Sequence, residues 1–231
     1  LNHFESRKHV LQYDDVMNLQ REKIYGERRR ALMGANLHDF VLDMAQHAAI
    51  SEADKHCPQD LRHEEWDAHK LYASLTRLFG GALLARHLHL EDLLALKTRD
   101  EIDEKIREAV AACYAEREAQ VGEDQMRSVE QWQVMRSIDE YWMEHLAEMD
   151  YLRDAIWQEG YAQKEPIGVF RQEGYALFHK MLENIRRQVT EQLFSLQIAP
   201  QVQQQYSGPQ IEEMQEMRLV APLMMDSDGL D

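Results

Sequence analysis

Asp139, Glu140, Glu144 and His145 fall within seven residues, DEYWMEH. They are groups able to move a proton or hold a metal. On a helix Glu140 and Glu144, four apart, share a face, which is part of a carboxylate-bridged metal site. Such a site also needs carboxylates from facing helices and a Glu-x-x-His pair. Neither is evident, and His145 reads as a partly buried packing residue. His87 and His89 in HLHLEDLL lie near Glu91, but two residues apart on a helix point away from each other and offer no shared metal face. Cys57 and Cys113 are the two cysteines. They fit neither a CxxC site nor a disulfide framework, and a reducing cytosol is the plain reading. No GxxxxGK[ST], GxGxxG or GxSxG is present. Asp14 and Asp15 read as helix-surface acids able to pair with basic groups of a neighbour. No catalytic residue and no metal ligand is assigned.

The elements that must position any site are helical. The chain has 231 residues with only 10 Gly and 5 Pro, and is rich in Ala, Leu, Glu, Gln, Arg and Met, which favours helices. No stretch approaches the ~20 apolar residues of a membrane span. A net charge of −16 argues against nucleic acid as a partner. The first 48 residues balance seven Lys/Arg against seven Asp/Glu, so the acidity lies after the first helix. The chain starts at Leu1 and reads as a piece of something longer.

Residues 1–33 read as one long helix with a stripe of Val10, Tyr13, Met17, Ile24 and Ala31. It would span roughly 45–50 Å, the length of a strut, with Gly34 as its stop. Residues 34–122 read as a bundle of short helices. Asn36 would cap one running to about Ala53, Leu61 to Phe79 would form another, and Gly80–Gly81 a turn. Leu83 to Leu96 would be short and apolar, and a Thr98–Glu101 capping box would open Ile102 to about Val121. From Glu123 a stripe through Val129, Trp132, Met135, Ile138, Trp142, Leu146, Met149, Leu152 and Ile156 predicts a long helix. A second runs from Phe170 to Leu196. Joined by the short EGYAQKEP, they must form an antiparallel hairpin over residues 123–198, with Trp132, Trp142 and Trp157 in its core. Residues 199–231 read as a disordered or loosely attached linker. Tyr161 stands out at the hairpin tip, where a mere turn would do with Asn, Asp or Gly. Displayed on a stiff lever, it is a contact device; folded back, it would be packing.

ESRKHVLQYDDVMNLQREKIYGERR (Glu5 to Arg29), WMEHLAEMDYLRDAIWQEGYAQKEP (Trp142 to Pro166) and YALFHKMLENIRRQVTEQLFSLQI (Tyr175 to Ile198) closely resemble, in order and spacing, the SecA family of bacterial preprotein-translocation ATPases. The first resembles its long scaffold helix, the others its two-helix finger. The resemblance covers about residues 1–198 and places 34–122 as the helical wing. It implies an all-α fold of scaffold helix, finger and wing. It further implies that the parent is a protein-transporting ATPase whose motor and preprotein-crosslinking domains bind ATP and Mg outside this segment, leaving the segment inactive alone and without a cofactor. Tyr13, Asp14, Asp15, Arg21 and Tyr25 would dock the motor domains. Gly160, Tyr161, Ala162, Gln163 and Lys164 would form the fingertip that meets unfolded preprotein at a SecY-type channel. Glu159 stands where a basic residue is usual in the family. The implied location is the cytoplasm and, peripherally, the inner membrane, with its anionic surface an indirect partner.

Two other classes compete. A free-standing helical adaptor would bind an unrelated protein through the long helix and affect no ATPase. A helical metalloenzyme would carry stoichiometric metal.

Overall fold

The computed structural model describes residues 2–34, 37–159 and 166–195, with side chains between Leu11 and Ile156 and again from Pro166. Its described residues hold helices and no strand. α1 runs Asn2–Met33 and stops where Gly34 turns to φ +65°, a conformation that favours Gly. α2 (Leu37–His56), α3 (Ala68–Phe79), α4 (Gly81–Leu84), α5 (Leu90–Ala95) and α6 (Arg99–Val121) follow, then α7 (Glu123–Glu159) and α8 (Pro166–Ser195). The two long amphipathic segments are thus continuous helices. α7 begins directly after Gly122, at φ +89°.

Local chemistry sets the boundaries. α6 opens on the expected capping box, with Glu101 N–H donating to Thr98 Oγ1 at 3.3 Å and Thr98 N–H to Glu101 Oε2 at 3.0 Å. α3 starts later than the apolar pattern predicts. Asp67 Oδ1 accepts from Lys70 N–H at 3.0 Å and caps it, while His63–Glu65 is a 3-10 turn and Trp66 Nε1 donates to Pro58 O. The expected single segment Leu83 to Leu96 divides into α4 and α5. His87 therefore lies in a turn, and His89 is the residue before α5.

α7 and α8 pair along their length, and α1 lies alongside both. Contacts from Gln20 to His145 and from Arg28 to Asp139 show α1 running antiparallel to α7. The helices of 34–122 do not keep a core to themselves. Buried residues of α2, α3 and α6, such as Val41, Leu75 and Ile106, join Ile24, Trp142, Phe178 and Leu193 in one apolar cluster. Phe79 meets Phe194 edge-on at 4.8 Å, and Glu52 pairs with Arg187 at 3.3 Å. The helices of 34–122 therefore share one core with the base of the hairpin. A second, smaller cluster of Tyr13, Val16, Met149, Ile156 and Phe170 lies nearer the tip. Trp142 is core as expected, but Trp132 is only half-buried, with Arg136 stacked on its ring at 5.2 Å. Trp157 lies outside the described side chains. Among the described residues no helix is long and apolar enough to cross a membrane.

Candidate functional site

The strut–hairpin seam joins α1 to both hairpin helices, and its chemistry follows from the α1 stripe. Tyr13, Val16, Gln20, Ile24 and Ala31 are buried at three-, four- and seven-residue steps, so one face of α1 is committed to α7 and α8. Ion pairing pins the seam where Arg28 Nε meets Asp139 Oδ1 at 2.9 Å, both side chains largely buried. Near the helix end, Gln131 Nε2 donates to the carbonyls of Ala31 and Leu32 at 3.1 and 2.8 Å. Ala31 O also accepts from Gly34 N–H at 3.3 Å, and carbonyls of a last helical turn lack donors further along their own helix, so the hairpin adds to the cap of the strut.

The five residues expected to dock motor domains divide between the two faces. Tyr13 is turned inward, with its ring 4.5 Å from Phe170 and its hydroxyl pKa raised by burial. Asp14 and Asp15 are exposed. Arg21 is half-buried and donates to Asn18 Oδ1 at 2.9 Å. Tyr25 keeps 36% of its surface exposed and lies edge-on to Trp142 at 6.3 Å. Leu11 and Leu19 stand exposed on the same helix at 63% and 69%. The stripe reading passed over them, although their places outside it were the signal. Gly160, Tyr161, Ala162, Gln163 and Lys164 lie outside the described residues.

Two polar groups inside the core were not foreseen. Gln20 and Gly174 interrupt apolar stripes, which is the sequence signal they carried. Gln20 Nε2 donates to Gly174 O at 3.0 Å, and His145 Nε2 donates to Gln20 Oε1 at 2.8 Å. His145 is fully buried rather than partly so, and burial lowers its pKa. The other group lies where the start of α2 and the end of α6 meet the start of α7. Tyr114 donates to Glu130, a carboxylate with no exposed surface. Arg127 bridges Glu130, at 3.1 Å, and Glu118, and His38 stacks edge-on over Tyr114 at 4.9 Å. Burial pushes Glu130 up to about 7, against the pull of the Tyr114 bond and the Arg127 charge.

The remaining chemical candidates are structural in their surroundings. Cys57 and Cys113 are free and buried, and burial pushes the Cys113 thiol up to about 12, so neither is a ready nucleophile. His87 bonds Glu116 at 2.7 Å, and Glu140 accepts from Gln188 at 3.2 Å. On the outer side of the hairpin an open apolar groove of about 500 Å³ lies among Ala147, Tyr151, Leu152, Ala155 and Leu177, edged by Glu144, Glu148 and Glu173.

A long helix packed along an antiparallel hairpin, with a bundle of shorter helices joined to the hairpin base, defines an all-helical scaffold. The SecA wing and scaffold domain model matches residues 1–197, and the chain belongs to that family. It is 38% identical over 209 residues to the protein translocase subunit SecA of Pelotomaculum thermopropionicum, covering 90% of this chain and 23% of that protein. It is 37% identical over 195 residues to that of Syntrophobacter fumaroxidans, covering 84% and 23%. It is 34% identical over 233 residues to that of Xanthomonas campestris pv. campestris, covering 99% and 25%. The chain thus spans about a quarter of the length of these curated relatives.

Proposed function

We propose that this chain is the scaffold, wing and finger of a preprotein-translocating ATPase, passing nucleotide-driven motion of motor domains to the hairpin tip. The observation that carries the reading is the two-faced strut. One face of α1 is bonded to both hairpin helices, while Leu11, Asp14, Asp15 and Leu19 stand free on its other side. A motor domain seated on that free face would push a lever already locked at its base. ATP and Mg belong to the motor and not to this segment, which is inactive alone. At the tip, Tyr161, flanked by Gly160, Ala162, Gln163 and Lys164, grips unfolded preprotein at the mouth of a SecY-type channel by apolar and stacking contact. Such a grip reads no sequence, which suits many substrates. The assembly works on the cytoplasmic side of the inner membrane and associates with it peripherally.

The test adds the purified chain to an isolated motor region from one of the named relatives. Binding with a changed ATP hydrolysis rate is expected, together with loss of that change in a variant carrying Leu11→Asp and Leu19→Asp. A folded chain that neither binds nor alters the rate would remove the reading and favour the free-standing adaptor.

A further inference from the structure

We infer that Gln20, His145 and Gly174 form a register lock that fixes the axial position of the strut against both finger helices. These are positioning residues. Their consequence for translocation rests on the function proposed above, but the lock itself does not.

The three residues form one polar layer that reaches all three helices, distinct from the Arg28–Asp139 pair and the Gln131 cap, which join α1 to α7. On α1, Gln20 falls between Val16 and Ile24. On α7, His145 falls between Trp142 and Met149. On α8, Gly174 falls between Phe170 and Phe178. In each pair one neighbour belongs to the tip-side cluster and the other to the main core. The layer therefore lies at the boundary of the two clusters. One amide makes both bonds, its NH2 to the Gly174 carbonyl and its oxygen from His145 Nε2–H. That pattern assigns the neutral, Nε2-protonated imidazole. Nδ1, buried and without a partner, has no proton to place. The rings of Trp142 and Phe178 pack against the imidazole, each with its centroid 5.6 Å away.

Apolar packing alone does not fix the register of such a seam, because neighbouring turns of α1 present similar side chains. The Arg28–Asp139 pair and the Gln131 cap hold α1 against α7, and the polar layer extends that hold to α8. A slide by one turn, ~5.4 Å, would bring Ile24 or Val16 opposite His145 and leave its N–H buried without an acceptor, a cost that is large in a dry interior. Gln20 is the only buried member of the described α1 stripe with an amide. Gly174 completes the fit. A Cβ there would meet the end of the Met149 side chain, Cε, at 2.8 Å and lie 3.8 Å from Gln20 Nε2, so the glycine leaves room for the Met149 methyl beside the amide. A buried polar group that selects one register among apolar alternatives is a recognised use of such groups.

The experiment is a pair of spin labels on the full chain, at cysteines replacing exposed Leu11 on α1 and Ala176 on α8. Buried Cys57 and Cys113 label slowly. One narrow distance is expected in the parent. Gln20→Met with His145→Phe removes both polar partners together while keeping bulk, so helicity and melting should stay close to the parent while the distance splits or broadens by about one turn. A folded double variant with the parent's single distance overturns the lock. Gln20→Asn, one methylene too short to reach both partners, carries the same test if the double variant unfolds. Nitrogen NMR of the parent's imidazole must find the Nε2–H tautomer, and an Nδ1–H ring equally overturns it. None of these readouts depends on transport, so failure of the lock and failure of the translocation reading are separable.

Discussion

Replacing Glu130 by Gln should stabilise the chain by an amount that grows with pH. Glu130 has no exposed surface, and Tyr114 and Arg127 reach it from α6 and from its own helix. Its folded pKa is about 7 against an ordinary 4.5, with burial the leading cause. Below pH 4.5 the carboxyl is protonated in both states and nothing is lost. Between 4.5 and 7 the unfolded chain releases the proton while the folded chain retains it, so stability falls as pH rises. Above 7 the loss is complete, at about 3 kcal/mol for a separation of that size. Gln keeps the shape, can still accept from Tyr114 and does not titrate. The stability difference between Glu130→Gln and the parent should therefore shift in favour of the variant by about 2–3 kcal/mol from pH 5 to pH 8. Any constant offset from Arg127 losing a partner cancels in that comparison. Urea unfolding at pH 5, 6, 7 and 8 measures it. At pH 8 the gain corresponds to roughly 5–10 °C in melting temperature for a chain of this size. A difference that stays flat across the four pH values would refute the buried-carboxylate reasoning.

Asp14→Ala with Asp15→Ala should change the melting of the chain by less than about 1 kcal/mol, because both acids are exposed and surface charges contribute little; a loss of several kcal/mol in urea melts would make them structural. His145, its pKa lowered by burial, contributes stability that is present above its unfolded value of about 6.5 and declines as pH falls below it; His145→Phe should flatten that decline in melts below pH 6.5, and an unchanged slope would place the titration elsewhere. In an intact translocase carrying this segment, Tyr161→Phe should keep most transport and Tyr161→Ala lose much of it, since apolar burial of such a ring is worth about 2–3 kcal/mol. Tyr161→Gly should be worse again, because glycine adds backbone freedom as well as removing the ring. Normal transport by Tyr161→Ala, measured into channel-bearing vesicles, would end the fingertip grip.

The helices were legible because their periodicity is long. Helices α1, α7 and α8 and the Thr98–Glu101 box lie where the pattern places them, although Trp132 is only half-buried and the side chains of Val10 and Leu196 lie outside the described residues. The start of α3 was missed because the apolar pattern runs on past Asp67, whose cap decides the boundary. Periodicity also counted Tyr13 within the packing stripe, yet resemblance counted it among docking residues; the ring of Phe170 occupies it. The inner polar layer was not legible for a different reason. Gln20 looks like an ordinary helix residue until a histidine 125 positions away and a glycine carbonyl 154 positions away converge on it. The same holds for Glu130, whose burial depends on α6 and α7 closing around it. Likewise, a pattern of short helices could not tell that residues 34–122 would share their core with the hairpin base.

The most direct measurement of the central claim is transport by a chimera. The region of the Xanthomonas campestris pv. campestris SecA matched by this chain would be replaced by the chain itself, and ATP-dependent movement of a preprotein into channel-bearing vesicles followed by protease protection. Protected preprotein that accumulates with ATP, and is lost when the strut face carries Leu11→Asp and Leu19→Asp, is the expected result. A chimera that folds and hydrolyses ATP but protects no preprotein would contradict the assignment of this chain as the lever of a translocation motor.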